Sequence, residues 1–182
     1  SILSARRHGD SPRYVLSSTV RIAESSQFKT IRHGVWHMDP AVLRDDMVDS
    51  LEHEAKAVVS SERVSVAMRT VPRKPFVDDG PAHADRSFER LGTRVLSPSA
   101  AGRLFEALEA RPDDTVLVVG SGVGYTAAVM AELTDEASVH AIDIARRLVH
   151  DARSNIASAG YPGVLVDCRD GARGLSEYAP YD

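Results

Sequence analysis

TVLVVGSGVGYTAAVMAEL, residues 115–133, is the stretch that decides the fold of this chain. Thr115 to Val119 form a short run rich in β-branched residues, the look of a strand buried on both faces. The run leads directly into Gly120-Ser121-Gly122-Val123-Gly124-Tyr125, and Thr126 to Leu133 then reads as a helix. Downstream the pattern repeats. Val139-His140-Ala141-Ile142 reads as a second strand ending in Asp143, and a helix follows from about Arg146 to Ala159. Gly160-Tyr161-Pro162-Gly163 then turns the chain into a third strand, Val164-Leu165-Val166. Strands alternating with helices in this way specify an α/β fold with a parallel sheet.

Glycines at the carboxyl end of a buried strand let the backbone turn sharply and let a ligand approach the main chain. An acidic residue ending the next strand can accept hydrogen bonds from both hydroxyls of a ribose. Asp143 follows Gly120 by 23 residues, close to the ~20 that this role requires. The spacing therefore points to a bound nucleoside. A dinucleotide fingerprint would place glycine at position 125, where Tyr125 stands, and there is no Gly-Lys-Ser/Thr for a triphosphate. The glycine spacing is G-x-G-x-G, as in S-adenosylmethionine-dependent methyltransferases.

Upstream of the α/β pattern the chain is helical and then irregular. Asp39-Pro40 resembles an N-cap followed by Pro at the first helical position. Val42, Leu43, Met47, Val48 and Leu51 then share one face, and a second helix runs through Val64, Ala67, Met68 and Val71. Residues 72–98 carry four prolines and two glycines among apolar residues, which reads as an ordered loop region with short extended pieces. A helix follows from about Ser99 to Glu109.

Composition narrows the classes of function. Of 182 residues, 43% are hydrophobic and 26% charged, ordinary values for a globular chain and far from collagen-like or low-complexity sequence. Cys168 is the single cysteine, so no internal disulfide can form and a cytoplasmic setting is expected. Residues 1–37 are Ser-rich and hold six basic against two acidic residues, leaving 16 basic against 24 acidic in the rest. An acidic body of this kind repels nucleic-acid phosphates and anionic membranes. Residues 1–37 are expected to be a disordered or non-native extension, with Met38 as a natural start. His33 and His37 lie four apart without a third ligand, and no metal is expected.

Four separated pieces then resemble the protein-L-isoaspartate (D-aspartate) O-methyltransferase family over about residues 47–182. VPRKPFV (71–77) is similar to the family's Val-Pro-Arg-x-x-Phe-Val segment, and Ala84-Asp85 to its Tyr-x-Asp loop. VLVVGSGVGYTAAVMAEL (116–133) resembles its cofactor turn and helix. RDGARGLSEYAPYD (169–182) resembles Gly-Asp-Gly-x-x-Gly followed by an Ala-Pro-Tyr-Asp turn. The resemblance implies a Rossmann-like S-adenosylmethionine-dependent methyltransferase fold behind an N-terminal helical and loop region (38–110) that contacts substrate. It implies transfer of a methyl group to the carboxylate of L-isoaspartyl residues in damaged proteins. Succinimide re-formation and hydrolysis then return part of the population to aspartate.

Carried over by residue, the resemblance assigns Gly120, Ser121, Gly122, Gly124 and Tyr125 to the cofactor, Asp143 and Ile144 to its ribose side, and Asp170 and Gly171 to its adenine side. The substrate loop departs from the family's Gly-x-Thr-Ile-Ser-x-Pro: the chain reads Gly92-Thr93-Arg94-Val95-Leu96-Ser97-Pro98, with Leu96 at the serine position when counted from Pro98. Ser97 is the candidate catalytic serine after a small loop shift, and Arg94, Leu96 and Ser99 are candidate substrate contacts. Arg94 can pair with a substrate carboxylate. Val118 stands where family members usually carry an acid. A divergent relative that binds the cofactor without this catalysis is the alternative, and an NAD-linked oxidoreductase is disfavoured by Tyr125. The partners expected are isoaspartyl proteins or peptides, met by a monomer, with no nucleic acid or membrane. The sheet is expected to be incomplete at Asp182, and the 182-residue piece to be inactive or poorly folded alone.

Overall fold

The computed structural model describes residues 28–32, 35–77 and 80–182. Most of the basic extension, and the side chains of the His33/His37 pair, lie outside the described residues. Near its end the backbone of Phe28–Arg32 (β1) pairs antiparallel with Val35–Met38 (β2).

Asp39 caps the first helix as its Asp-Pro pair predicts: its side chain accepts from the Ala41 N–H, and α1 runs Pro40–Glu52. Helix α2 (Glu62–Thr70) stops ahead of Pro72, whose ring cannot continue it. Within the proline-rich stretch, Phe88–Arg90 (β3) and Thr93–Val95 (β4) form a hairpin. Helix α3 (Pro98–Leu108) follows at once, starting one residue earlier than its sequence pattern suggests because Ser97 is its cap.

Val116–Val119 (β5), Val139–Asp143 (β6) and Leu165–Cys168 (β7) form a parallel sheet in the order β5-β6-β7. Registers of Val118 with Ala141 and of Asp143 with Cys168 bring the carboxyl ends of the three strands to one edge. Among the described residues the central strand β6 is buried on both faces, and β5, with β6 on one side of it only, is half-buried, with Val119 57% exposed.

Helices α4 (Tyr125–Leu133) and α5 (Arg146–Ser158) connect the strands and pack on the sheet and on each other. Ala127, Ala128, Val129 and Met130 are all buried, so α4 is apolar nearly all round. Such a helix needs cover on every side. The sheet, α5 and α2 supply it, and α1 and α3 pack on α2 in turn. His140, on the central strand, is covered by Tyr178 and Tyr181 of the C-terminal segment, with a 2.9 Å contact between His140 Nδ1 and the Tyr181 hydroxyl.

Candidate functional site

The glycine turn is fastened both to the neighbouring strand and across itself. Gly120 and Ser121 both donate their N–H to the carbonyl of Ile142, at 2.8 and 3.0 Å, and Gly124 N–H closes the turn onto Ser121 O at 2.9 Å. Gly120 and Gly124 have φ of +74° and +98°, values that a side chain tolerates poorly. A Cβ at Gly124 would lie 2.8 Å from two carbons of Ile156, so the absence of a side chain there lets α4 and α5 approach. A Cβ at Gly120 would meet nothing within 4 Å. Gly120 thus faces open space, as close approach of a ligand to the main chain requires.

Asp143 ends β6 beside this turn. One carboxylate oxygen accepts from Gly122 N–H and the other from Ala145 N–H, each at 3.0 Å, which fixes the carboxylate while leaving further lone pairs on both oxygens. Ile144, the next residue, is 76% exposed and presents an apolar surface at the same edge. Asp170 and Gly171 follow β7. The Asp170 side chain accepts from Ala172 N–H, and Gly171 lies so close to Val119 that a Cβ would come within 2.5 Å of that side chain.

A cavity of about 480 Å³ runs along the side of β5 that no described strand covers, lined by Val116 to Val119, Leu104 and Leu108, and it also takes in Gly120, Ser121, Gly122, Thr93, Arg94 and Leu96. Ser121 Oγ is buried there without a hydrogen-bond partner among the described residues. Gly120, Ser121, Gly122, Tyr125, Arg94 and Leu96 line this space, and Asp143, Ile144, Asp170 and Gly171 do not. Ser97 and Ser99 do not line it. The Ser97 hydroxyl accepts from Ala100 N–H at 3.2 Å as the cap of α3. Ser99 donates its hydroxyl and its N–H to Asp85. Burial acts to raise the Asp85 pKa, but the bonds from Ser99 and the Lys56 ammonium outweigh it and hold the carboxyl below its usual range.

Tyr125 is placed behind the turn. Its ring is 4% exposed, packed edge-on to Phe76 and Phe105 with centroid distances of 5.4 and 6.4 Å, so what it turns outward is backbone. Burial pushes its hydroxyl pKa up, against the opposing charge of Arg73. Two supporting residues carry no sequence signal of the kind that marks the turn. Asn155, buried on α5, donates its side-chain amide to Val123 O at 3.0 Å. An amide on the apolar face shared by Val149, Ala152 and Ile156 is its one clue. Arg73, fully buried, donates to the carbonyls of Ala82 and Leu96. Among the described residues no three His, Cys, Asp or Glu side chains gather as a metal site.

The family model for protein-L-isoaspartate(D-aspartate) O-methyltransferase matches residues 43–182. The chain belongs to this family. A protein-L-isoaspartate O-methyltransferase of Aeropyrum pernix is 38% identical over 141 residues, covering 74% of this chain and 54% of the relative. One from Pyrobaculum arsenaticum is 39% identical over 142 residues, covering 75% and 68%. The chain thus spans about half to two thirds of the length of these curated relatives.

Among solved structures, a protein-L-isoaspartate O-methyltransferase superposes with a TM-score of 0.66 at 25% identity, over 76% of this chain and 46% of its own. A Plasmodium falciparum chain in complex with S-adenosyl-L-homocysteine shares the fold at a TM-score of 0.65 and 17% identity, covering 74% and 66%. The α/β fold read from the glycine turn is therefore the Rossmann-like fold of this methyltransferase family. Among the described residues no helix is long and apolar enough to cross a membrane.

Proposed function

We propose that the protein is an S-adenosylmethionine-dependent O-methyltransferase acting on the free carboxylate of L-isoaspartyl residues in proteins and peptides. One observation carries the cofactor half of the reading: the Asp143 carboxylate is fixed beside Gly122 of a turn whose first glycine faces open space. The residues present fit the group. Asp143 keeps acceptor capacity for ribose hydroxyls, Ser121 Oγ is an unpartnered buried donor, and Ile144 offers an apolar face beside the Asp170-Gly171 turn. Family membership carries the acceptor half.

Held by Asp143, Ser121 and the glycine turn, S-adenosylmethionine would supply a methyl group activated on a sulfonium, which a carboxylate oxygen could take while sulfur kept the electron pair of the broken C–S bond. The acceptor is already ionised near pH 7, so the protein has to align rather than deprotonate. Arg94, exposed at the cavity mouth, is the side chain able to meet an acceptor carboxylate. Leu96 makes the adjoining wall apolar and Ser97 stays with α3, so alignment on this side rests on Arg94, the loop backbone and exclusion of water by Leu96.

The test is transfer of a labelled methyl group to an isoaspartyl peptide and to its aspartyl twin. Transfer to the isoaspartyl form alone, lost in Asp143→Ala, is the expected result. Cofactor binding without transfer to either peptide would overturn the acceptor assignment and favour a relative of different specificity.

A further inference from the structure

Arg73 has no role in the cofactor or acceptor contacts described above, yet it is the largest fully buried polar side chain among the described residues. Burying a guanidinium is costly unless its donors are used, and here Nε and Nη2 are bonded while Nη1 has no hydrogen-bond partner among the described residues. Its Nε donates to Ala82 O at 2.9 Å and its Nη2 to Leu96 O, two carbonyls at opposite ends of the segment that carries the acceptor loop. Its flat face lies over the Tyr125 ring, with Cζ 4.6 Å from the ring centroid. Tyr125 is the residue directly after Gly124 and the first of α4. One side chain therefore touches both walls of the site from inside: the acceptor loop by hydrogen bonds and the cofactor turn by stacking.

We infer that Arg73 is a positioning residue that sets the acceptor loop against the cofactor turn. Restraint of Tyr125 by a ligand at the turn passes to the guanidinium resting on it. The guanidinium passes it on to the carbonyls of Ala82 and Leu96. The planar fork is what permits this, because it serves two divergent carbonyls while stacking on a ring. A lysine keeps the charge but supplies a point donor that cannot reproduce the fork. A second route exists through Thr93, whose side chain lies against Gly122, but it reaches β4 and not Ala82.

The inference rests on the cofactor reading, and the experiment separates the two. Amide hydrogen exchange of the intact protein is followed with and without S-adenosylhomocysteine, for wild type and Arg73→Lys. Wild type is expected to gain protection at 120–126 and also at 80–86. Arg73→Lys keeps the first and loses the second, with 93–95 still protected through Thr93. In transfer assays kcat falls and KM for the acceptor rises, by about ten- to a hundredfold in kcat/KM. The cofactor Kd stays close to wild type.

Val48→Ala, in the core of α1, is the control for simple loss of stability: it should lower the melting temperature and keep the coupling. Protection at 80–86 that survives in Arg73→Lys, or that never arises in wild type with ligand bound, would overturn the inference. So would equal uncoupling by Val48→Ala. Failure of wild type to bind S-adenosylhomocysteine would instead refute the cofactor reading, and the coupling would fall with it.

Discussion

Replacing Gly124 and Gly120 separately by alanine distinguishes what the two glycines do. At Gly124 the added methyl group meets Ile156 Cδ1 and Cγ1 at 2.8 Å and Ala152 Cβ at 3.3 Å. Ile156 and Ala152 are buried on α5, so neither can swing aside into solvent. Overpacking of this kind costs about 1–3 kcal/mol. The positive φ adds about 1–2 kcal/mol, and the stiffer unfolded chain returns about 0.4–1 kcal/mol. The net destabilisation expected for Gly124→Ala is therefore about 2–4 kcal/mol, a fall of roughly 4–16 °C in melting temperature for a chain of this size.

Gly120→Ala carries the backbone cost alone and should lose about 1 kcal/mol by the same reckoning, while its methyl group intrudes where the cofactor would lie. Urea titration of both variants, with cofactor affinity by calorimetry, measures the two effects. Ile156→Val removes one of the two clashing carbons. Alone it costs about 0.5–1.5 kcal/mol, but in the Gly124→Ala background it should be neutral or stabilising. Equal losses for the two glycine variants, or strict additivity with Ile156→Val, would show that α4 and α5 separate freely and that the contact argument is wrong.

Asn155→Leu should destabilise the protein by about 1–3 kcal/mol, because the buried Val123 carbonyl loses its donor, and should weaken cofactor binding through a looser turn; a cofactor Kd equal to wild type would break that link. Burial holds the His140 pKa below its ordinary value, so the folded state binds its proton less readily than the unfolded chain. Stability from this group is full above about pH 6.5 and is lost as pH falls through the lower folded value. Melting temperatures of wild type should drop between neutral and mildly acidic pH, more steeply than those of His140→Gln. Burial together with Arg44 and Arg73 lowers His83 in the same direction, and His83→Gln should remove a further part of the slope.

The parts of this fold that could be read in advance were those whose cause is local. Asp39-Pro40 starts a helix because capping is decided within four residues. Val116–Val119, the glycine turn and Asp143 follow from strand burial and from a spacing fixed by one βαβ unit. The hairpin of β3 and β4 had no such cue. Its two central residues, Leu91 and Gly92, have φ of +53° and +77°, a conformation ordinarily marked by Asn-Gly or Asp-Gly. The order β5-β6-β7 of the described strands depends on long-range pairing, which no stretch of sequence encodes by itself.

Gly120, Gly122 and Asp143 could be named as candidates because the turn and the spacing to the next strand end are local features, and the structure places the Asp143 carboxylate on Gly122 N–H. Ser97 and Ser99 stand at the start of α3, where Ser97 caps the helix and Ser99 bonds Asp85, contacts that the loop sequence does not announce. Arg73 stood in the Val-Pro-Arg piece of the resemblance, but its burial could not be read there, since burial of a charged side chain is a property of the assembled core.

Only three of the 22 basic residues are lysine, and the arginines are used as clamps on backbone carbonyls. Arg63 reaches the carbonyls of Ala110 and Leu133 at the ends of α3 and α4. Arg44 holds Arg69 O, Arg90 holds Pro75 O and Arg153 holds Val166 O twice over. Each joins segments that secondary structure leaves separate, using a planar group that stays charged at any ordinary pH. Reagents that acylate or carbamylate amines would leave these arginine seams intact while removing contacts such as the Lys56–Asp85 ion pair. The chemical weakness of the seams is the α-dicarbonyl, a by-product of sugar breakdown that condenses with guanidinium groups and would release them one at a time.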